Sequence, residues 1–203
     1  MSTRDRASVL LAAAGLAALA FAVLAPPSAF HPVTDSMRAA ARLMAGRRVT
    51  DLSAVGSDGR AYSPASEASG RPLVLVFIKD GCPCSESAEP YFQRLHAAYG
   101  ARASFLGVID ADPSTARDWA SRHATPYPVL SDPDLRIVSA CSAERSAYVM
   151  LVAPGGSVAA LWPGFSAPML SDVGARLARL TGQDEVSLDT TGAPAELASG
   201  CLF

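Results

Sequence analysis

The sequence predicts an α/β fold with a mixed central β-sheet flanked by helices, and three observations carry that prediction. Residues 73–78 (Leu-Val-Leu-Val-Phe-Ile) and 104–109 (Ser-Phe-Leu-Gly-Val-Ile) are short apolar runs rich in branched and aromatic side chains, the pattern of strands buried on both faces. Between them, Ala88, Tyr91, Phe92, Leu95 and Ala98 recur at helical spacing. Further on, 147–153 and 157–162 flank Pro154-Gly155-Gly156, the signature of a hairpin. A strand–helix–strand unit demands a right-handed parallel crossover, and a hairpin adds antiparallel strands to the same sheet.

The remaining elements follow in chain order. Residues 37–44 alternate arginine with alanine, leucine and methionine, which predicts a short amphipathic helix or a membrane-proximal linker. Ser57-Asp58-Gly59 is a turn signal inside 50–62 and predicts an N-terminal hairpin. Gly70-Arg71-Pro72 opens the first buried strand. The helix after it runs from about Cys84 to Tyr99, and Gly100 is its stop. Asp112-Pro113 places a capping carboxylate and a first-turn proline at the start of a helix toward His123. Residues 126–130 read as a short extended piece closed by Ser131-Asp132-Pro133, and 134–140 as a brief helix. Leucine and valine at helical spacing over 170–180, ended by Gly182, predict the last helix.

The division expected from this pattern is an N-terminal anchor over 1–29, a linker over 30–47, the main domain over 48–182 and a tail over 183–203. Arg4 and Arg6 precede an uncharged apolar run over 8–25. A helix of about 18 residues spans roughly 27 Å, close to the hydrocarbon thickness of a bilayer. Positive charge on its leading side predicts a transmembrane helix whose N-terminus stays in the cytoplasm, with the rest exported. A cleaved signal peptide is the alternative, although Pro26-Pro27 makes a poor cleavage site. Either way the domain is expected on the extracytoplasmic side, periplasmic or extracellular, where disulfides persist.

Half of the 203 residues are apolar and the formal charge is −2, so a core forms without staples and nucleic acid is not an expected partner. Four cysteines are too few for a disulfide scaffold of this size, which leaves them for chemistry or local ties. Cys82-Pro83-Cys84 sits where the first buried strand gives way to a helix. A thiol there meets the unpaired N–H groups and positive end of that helix, which favour thiolate, the form that attacks disulfides and peroxides. With Cys82 as N-cap and Pro83 as first helical residue, its sulfur is placed to accept from the N–H of Cys84 or Ser85. Lys79 would add a cation, while Asp80, Glu86 and Glu89 oppose ionisation.

Cys84 is the nearest resolving thiol, yet side chains two apart on a helix diverge, so Cys141 stays open as its rival. A Cys141–Cys201 disulfide tying down the tail is a further expectation, stabilising by about 2–4 kcal/mol. His31, His96 and His123 are not at metal-ligand spacing and are expected on the surface or on helix faces. Trp119 and Trp162 are read as packing residues. There is no glycine-rich phosphate loop and no nucleophile elbow, so no cofactor or resident metal is expected.

This order of elements, with cysteine at the first strand-to-helix junction, resembles the thioredoxin fold. It is closest to its redoxin branch, the alkyl hydroperoxide reductase and thiol-specific antioxidant (AhpC/TSA) type, in a membrane-anchored, exported form. The likeness runs from about Arg48 to Gly182. It rests on 74–78 with Cys82-Pro83-Cys84-Ser85-Glu86, on 105–110, on Tyr127-Pro-Val-Leu-Ser-Asp132 and on the 148–162 hairpin. The resemblance implies a substrate-adjacent edge at Pro83, Arg145, Ser146 and Ala147. Thioredoxins put a cis-proline there, where this chain has Ser146-Ala147. Peroxiredoxins carry proline seven and threonine three residues before their cysteine, where this chain has Leu75 and Lys79.

Three functions are therefore expected to compete. The first is a membrane-tethered thiol–disulfide oxidoreductase with Cys82 as nucleophile, Cys84 or Cys141 as resolving thiol, and an unidentified thiol electron donor. The second is a thiol peroxidase that reduces hydroperoxides through a Cys82 sulfenic acid. The third is a Cu(I)-binding chaperone using Cys82 and Cys84.

Overall fold

A computed structural model describes residues 30–203. Among them no helix is long and apolar enough to cross a membrane; the anchor expected over 1–29 lies outside the described residues.

The strands are β1 (His31–Pro32), β2 (Ala54–Val55), β3 (Ala61–Tyr62), β4 (Leu73–Ile78), β5 (Ser104–Ile109), β6 (Val129–Ser131), β7 (Val149–Val152), β8 (Val158–Trp162) and β9 (Ala198–Ser199). The helices are α1 (Asp35–Met44), α2 (Pro64–Glu67), α3 (Pro83–Tyr99), α4 (Pro113–His123), α5 (Arg136–Ala140) and α6 (Ala167–Thr181). The central sheet has the order β6-β5-β4-β7-β8, with β4, β5 and β6 parallel and β7 and β8 antiparallel. This is the mixed sheet expected from the strand–helix–strand unit and the hairpin.

Both faces of the sheet are covered, which is why its strands read as unbroken apolar runs. Alternation along β4 divides the core. Val74, Val76 and Ile78 face a cluster with Phe92 and Leu95 of α3, Trp119 of α4 and Leu170 and Val173 of α6. Leu73, Leu75 and Phe77 face a second cluster with Met37, Ala41 and Met44 of α1 and Ile137 and Val138 of α5. Residues 30–47, expected as a linker, thus contribute β1 and a helix packed on the sheet. Thr34 caps α1, accepting from the Met37 N–H at 3.3 Å.

The tail, residues 183–203, lies along α3 in reverse. Val186 N–H donates to Tyr99 Oη at 2.9 Å, Arg94 Nη1 to Asp189 O at 2.6 Å, and Tyr91 Oη to Thr191 O at 3.1 Å. Three anchors spread over two turns of α3 bring the chain end back toward the N-terminus of that helix. There β9 pairs antiparallel with β1, and Phe165 and Ala198 exchange backbone hydrogen bonds of 2.9 and 3.0 Å.

Glu89, on α3, is a buried carboxyl with no cationic partner among the described residues. It accepts from Thr125 Oγ1 at 2.8 Å, Tyr127 Oη at 2.9 Å and Gln93 Nε2 at 3.3 Å, tying the loop before β6 to the helix. Burial raises its pKa above 4.5 and outweighs these donors. The folded chain therefore holds this proton at a pH where the unfolded chain has lost it. Its contribution to stability is full below the ordinary glutamate pKa and is lost as pH rises through the folded value. Glu89→Gln is expected to flatten that part of the curve of melting temperature against pH. Glu89→Leu should cost about 3 kcal/mol by stranding buried hydroxyls, measured by urea denaturation.

Candidate active site

Cys82 ends the loop after β4 and is the N-cap of α3, with Pro83 in the first turn. The loop is pinned from the neighbouring strand. Asp110 accepts from Lys79 Nζ at 2.8 Å and from the Asp80 N–H at 2.7 Å, and Ser85 Oγ accepts from the Lys79 N–H at 3.1 Å. Lys79, expected as a cation for Cys82, is thus paired with Asp110. The Cys82 side chain also makes no capping hydrogen bond to the helix. Its leading partners come from far along the chain, Ser146 Oγ at 3.4 Å and Cys201 Sγ at 2.7 Å, and the expected Ser85 N–H adds a smaller stabilisation of the thiolate.

The segment before β7 builds the opposite wall. Ser146 N–H donates to Cys201 O and Gly200 N–H to Ser146 O, both at 2.9 Å. Arg145 bridges Leu202 in antiparallel fashion, and its Nη1 donates to Gly200 O at 3.2 Å. Ala147 has φ +60°, an uncommon conformation for a non-glycine residue and a local strain held by its N–H bond to Phe77 O at 2.8 Å. Among the described residues no peptide bond is cis. The edge expected to meet substrate at Arg145, Ser146 and Ala147 is instead paired with the chain's own end.

Gly200 makes this approach feasible. A Cβ there would land on Ser146 Oγ and lie 3.2 Å from Cys84 Cβ. The result is a covered site: Cys82 and Cys84 are 2% and 1% exposed, and Cys201 is half-buried.

The thiols are electrostatically unequal. Burial opposes ionisation of Cys82, but the hydrogen bonds from Cys201 and Ser146 outweigh it and bring its pKa down to about 6. Burial, and then the charge on Cys82, push Cys84 up to about 12. The bond to Cys82, then burial, raise Cys201. At neutral pH the cluster holds one thiolate, on Cys82, beside protonated neighbours.

Cys141 stands elsewhere. It ends α5 in the second core cluster with Tyr148 and Met150, and burial followed by the charge of Asp132 pushes it up to about 12. Cys201, expected beside Cys141, has its sulfur against Cys82. His31 of β1 was expected on the surface, and it is exposed. Its ring is nonetheless brought to the cysteines by the pairing of β1 with β9. One ligand atom each from His31, Cys84 and Cys201 lie within 4.8 Å of one another.

The AhpC/TSA family model matches residues 45–185. A comparison with curated proteins found no match. Among solved structures, the Xanthomonas campestris bacterioferritin comigratory protein is 22% identical and superposes with a TM-score of 0.56, over 64% of this chain and 91% of that one. Peroxidoxin BcpB from Mycobacterium tuberculosis is 19% identical with a TM-score of 0.58, over 67% and 96%. A secreted Mycobacterium tuberculosis disulfide oxidoreductase homologous to E. coli DsbE is 21% identical with a TM-score of 0.54, over 64% and 96%. These likenesses establish a shared fold, and the family match extends over most of the chain.

Proposed function

The chain belongs to the AhpC/TSA family and is a thioredoxin-like oxidoreductase, and from that premise we propose that it is a thiol–disulfide oxidoreductase whose redox pair is Cys82 and Cys201. One observation carries this reading: the two sulfurs, 119 positions apart in sequence, lie 2.7 Å from each other.

In the first step the Cys82 thiolate attacks a partner disulfide. The partner's S–S bond breaks, its departing sulfur takes a proton, and a mixed disulfide forms on Cys82. Cys201 then loses its proton and attacks Cys82 Sγ, expelling the second partner thiol. The partner gains two electrons and two protons, and the protein is left with a Cys82–Cys201 disulfide that a thiol donor reduces. Because Cys82 is covered, the tail swings aside to admit a protein partner and returns to resolve it. Cys84 stays protonated and buried beside the pair.

A second reading, hydroperoxide reduction, is favoured by that same cover, since a peroxide is small enough to reach a thiol that a protein cannot. Cys82 would attack the terminal peroxide oxygen, releasing water or alcohol and forming a sulfenic acid. Cys201 would then displace water to give the same disulfide. Against it, Leu75 and Lys79 stand where peroxiredoxins carry proline and threonine, and Lys79 is already engaged by Asp110.

The domain is proposed to work outside the cytoplasm, tethered by residues 1–29. Support for this is Arg4 and Arg6 ahead of an uncharged run over 8–25.

The test is to oxidise the reduced chain with one equivalent of glutathione disulfide or hydrogen peroxide and map its cysteines by mass. The expected product with glutathione disulfide is a Cys82–Cys201 bond, formed faster than with peroxide. Cys201→Ser is expected to accumulate a Cys82–glutathione mixed disulfide. A Cys82–Cys84 product in the parent chain would sink the pairing, and faster oxidation by peroxide would favour the second reading.

A further inference from the structure

His31, Cys84 and Cys201 converge from three parts of the chain that are remote in sequence. Cys84 stands in the first turn of α3. Cys201 follows β9, whose residue Ser199 is paired with His31, and Ser199 Oγ donates to His31 O at 3.2 Å. The pairing of β1 with β9 thereby sets the imidazole beside the tail thiol. A Cβ on Gly200 would lie 3.2 Å from Cys84 Cβ, so the tail passes directly beside Cys84 and brings its thiol there. One donor atom from each residue falls within 4.8 Å of the other two, the spacing that ligands adopt around a single ion.

We propose that His31, Cys84 and Cys201 form a three-coordinate site for Cu(I). The donor set decides the ion. Two thiolates and an imidazole, with no carboxylate in the group, select a soft d10 cation over magnesium, calcium or manganese. Zinc on the same three donors would need water or a further side chain to complete its tetrahedron, whereas Cu(I) is satisfied by three soft ligands, and zinc is therefore the rival cation in the titration below. The set differs from a copper site on Cys82 and Cys84, since Cys82 is not among its ligands and its sulfur is turned to Cys201 and Ser146.

Copper and the redox pair share Cys201 and exclude one another. A Cys82–Cys201 disulfide removes one ligand, and bound copper removes the resolving thiol. The site does not depend on the redox reading, because Cys82 takes no part in it.

The experiment is an anaerobic titration of the reduced full-length chain with Cu(I), in competition with bicinchoninate, alongside Cys82→Ser, His31→Ala and Cys201→Ser. One equivalent is expected to bind to the parent chain and to Cys82→Ser, which cannot form the redox disulfide. His31→Ala should weaken binding by at least the ~10–100-fold that loss of even an outer-shell partner costs, and Cys201→Ser by more. His31 is exposed, so its variant tests the ligand without disturbing the core. X-ray absorption at the copper edge should show one nitrogen and two sulfur neighbours. Binding that needs Cys82 and ignores His31 would overturn the site, as would substoichiometric binding or tighter binding of zinc supplied in a parallel titration. A Cys82→Ser chain that binds copper normally while the parent forms no Cys82–Cys201 bond would retain the site and discard the redox pair.

Discussion

Cys82→Ser is expected to lower the rate of disulfide reduction by roughly three orders of magnitude or more, the scale of losing a nucleophile that acts as part of a unit. Neighbouring thiols do not make up the loss. Burial, the first cause that holds the Cys84 thiol protonated, persists in the variant even though the charge of Cys82 is gone. Cys201 is raised through its bond to Cys82 and by burial, and burial remains in the variant; with the Cys82 sulfur gone, attack by Cys201 would also have no neighbouring thiol to resolve it. Serine preserves the contact with Ser146 but offers a hydroxyl that stays protonated. Stopped-flow reduction of a chromogenic aromatic disulfide measures the effect. Cys84→Ser, by contrast, should retain formation of the Cys82–Cys201 bond. Loss of that bond in Cys84→Ser, with retention in Cys82→Ser of residual turnover near the parent rate, would move the nucleophile to Cys84.

The second large effect is expected far from any sulfur. Gly164, with φ +144°, lies where β8 turns toward α6 and passes against the tail. An added Cβ would sit 2.6 Å from the Ala198 carbonyl carbon, 3.0 Å from the Ser199 nitrogen, and hard against the Ala198 oxygen. These are backbone atoms, so no rotamer change relieves the overlap. Gly164→Ala therefore separates β9 from Phe165, breaking the reciprocal bonds of 2.9 and 3.0 Å and the β1–β9 pairing that depends on them. The expected cost is about 2–4 kcal/mol, in the range of large single-site effects with a named steric cause. The functional consequence is larger. Released from its pairing, the tail no longer covers Cys82 or presents Cys201, so Cys82 alkylation should accelerate while closure of the Cys82–Cys201 bond slows. The five-stranded sheet makes none of these contacts and should keep its amide protection. Hydrogen exchange read by mass spectrometry checks both halves: protection lost over residues 196–203 and kept over β4 and β5. Unchanged exchange in the tail would show that its docking does not depend on Gly164.

Both predictions depend on features with very different visibility in the chain. The frame was legible because its signals are local. Unbroken apolar runs at 73–78 and 104–109 became β4 and β5, since a strand buried on both faces needs apolar residues at every position. Asp112 caps α4 through the N–H groups of Ser114 and Thr115, as the Asp112-Pro113 pair predicts. Cys82 became the N-cap of α3 because Pro83 is disposed to the first helical position. Residues 37–44 by themselves suit a helix or a linker. The helix won because Met37, Ala41 and Met44 share one face that the sheet could bury.

By itself, then, the sequence determined the α/β order, the family-level likeness and the junction that carries the first thiol. These follow from spacing within a few residues and from the burial each pattern demands. Only the tertiary structure decided which groups meet Cys82. β1 and β9 are two residues each, too short to show a period, and the tail is held by backbone bonds to Phe165 and Ser146 and by side chains of α3. Backbone amides are the same in every sequence, so such pairing leaves almost no mark in composition. Gly164 and Gly200 are its nearest trace, the two points where chains pass too closely for a Cβ. That is why Cys201 and His31 read as a tail cysteine and a surface histidine, and reached the cysteines at the start of α3 only when β1 and β9 paired over that helix terminus.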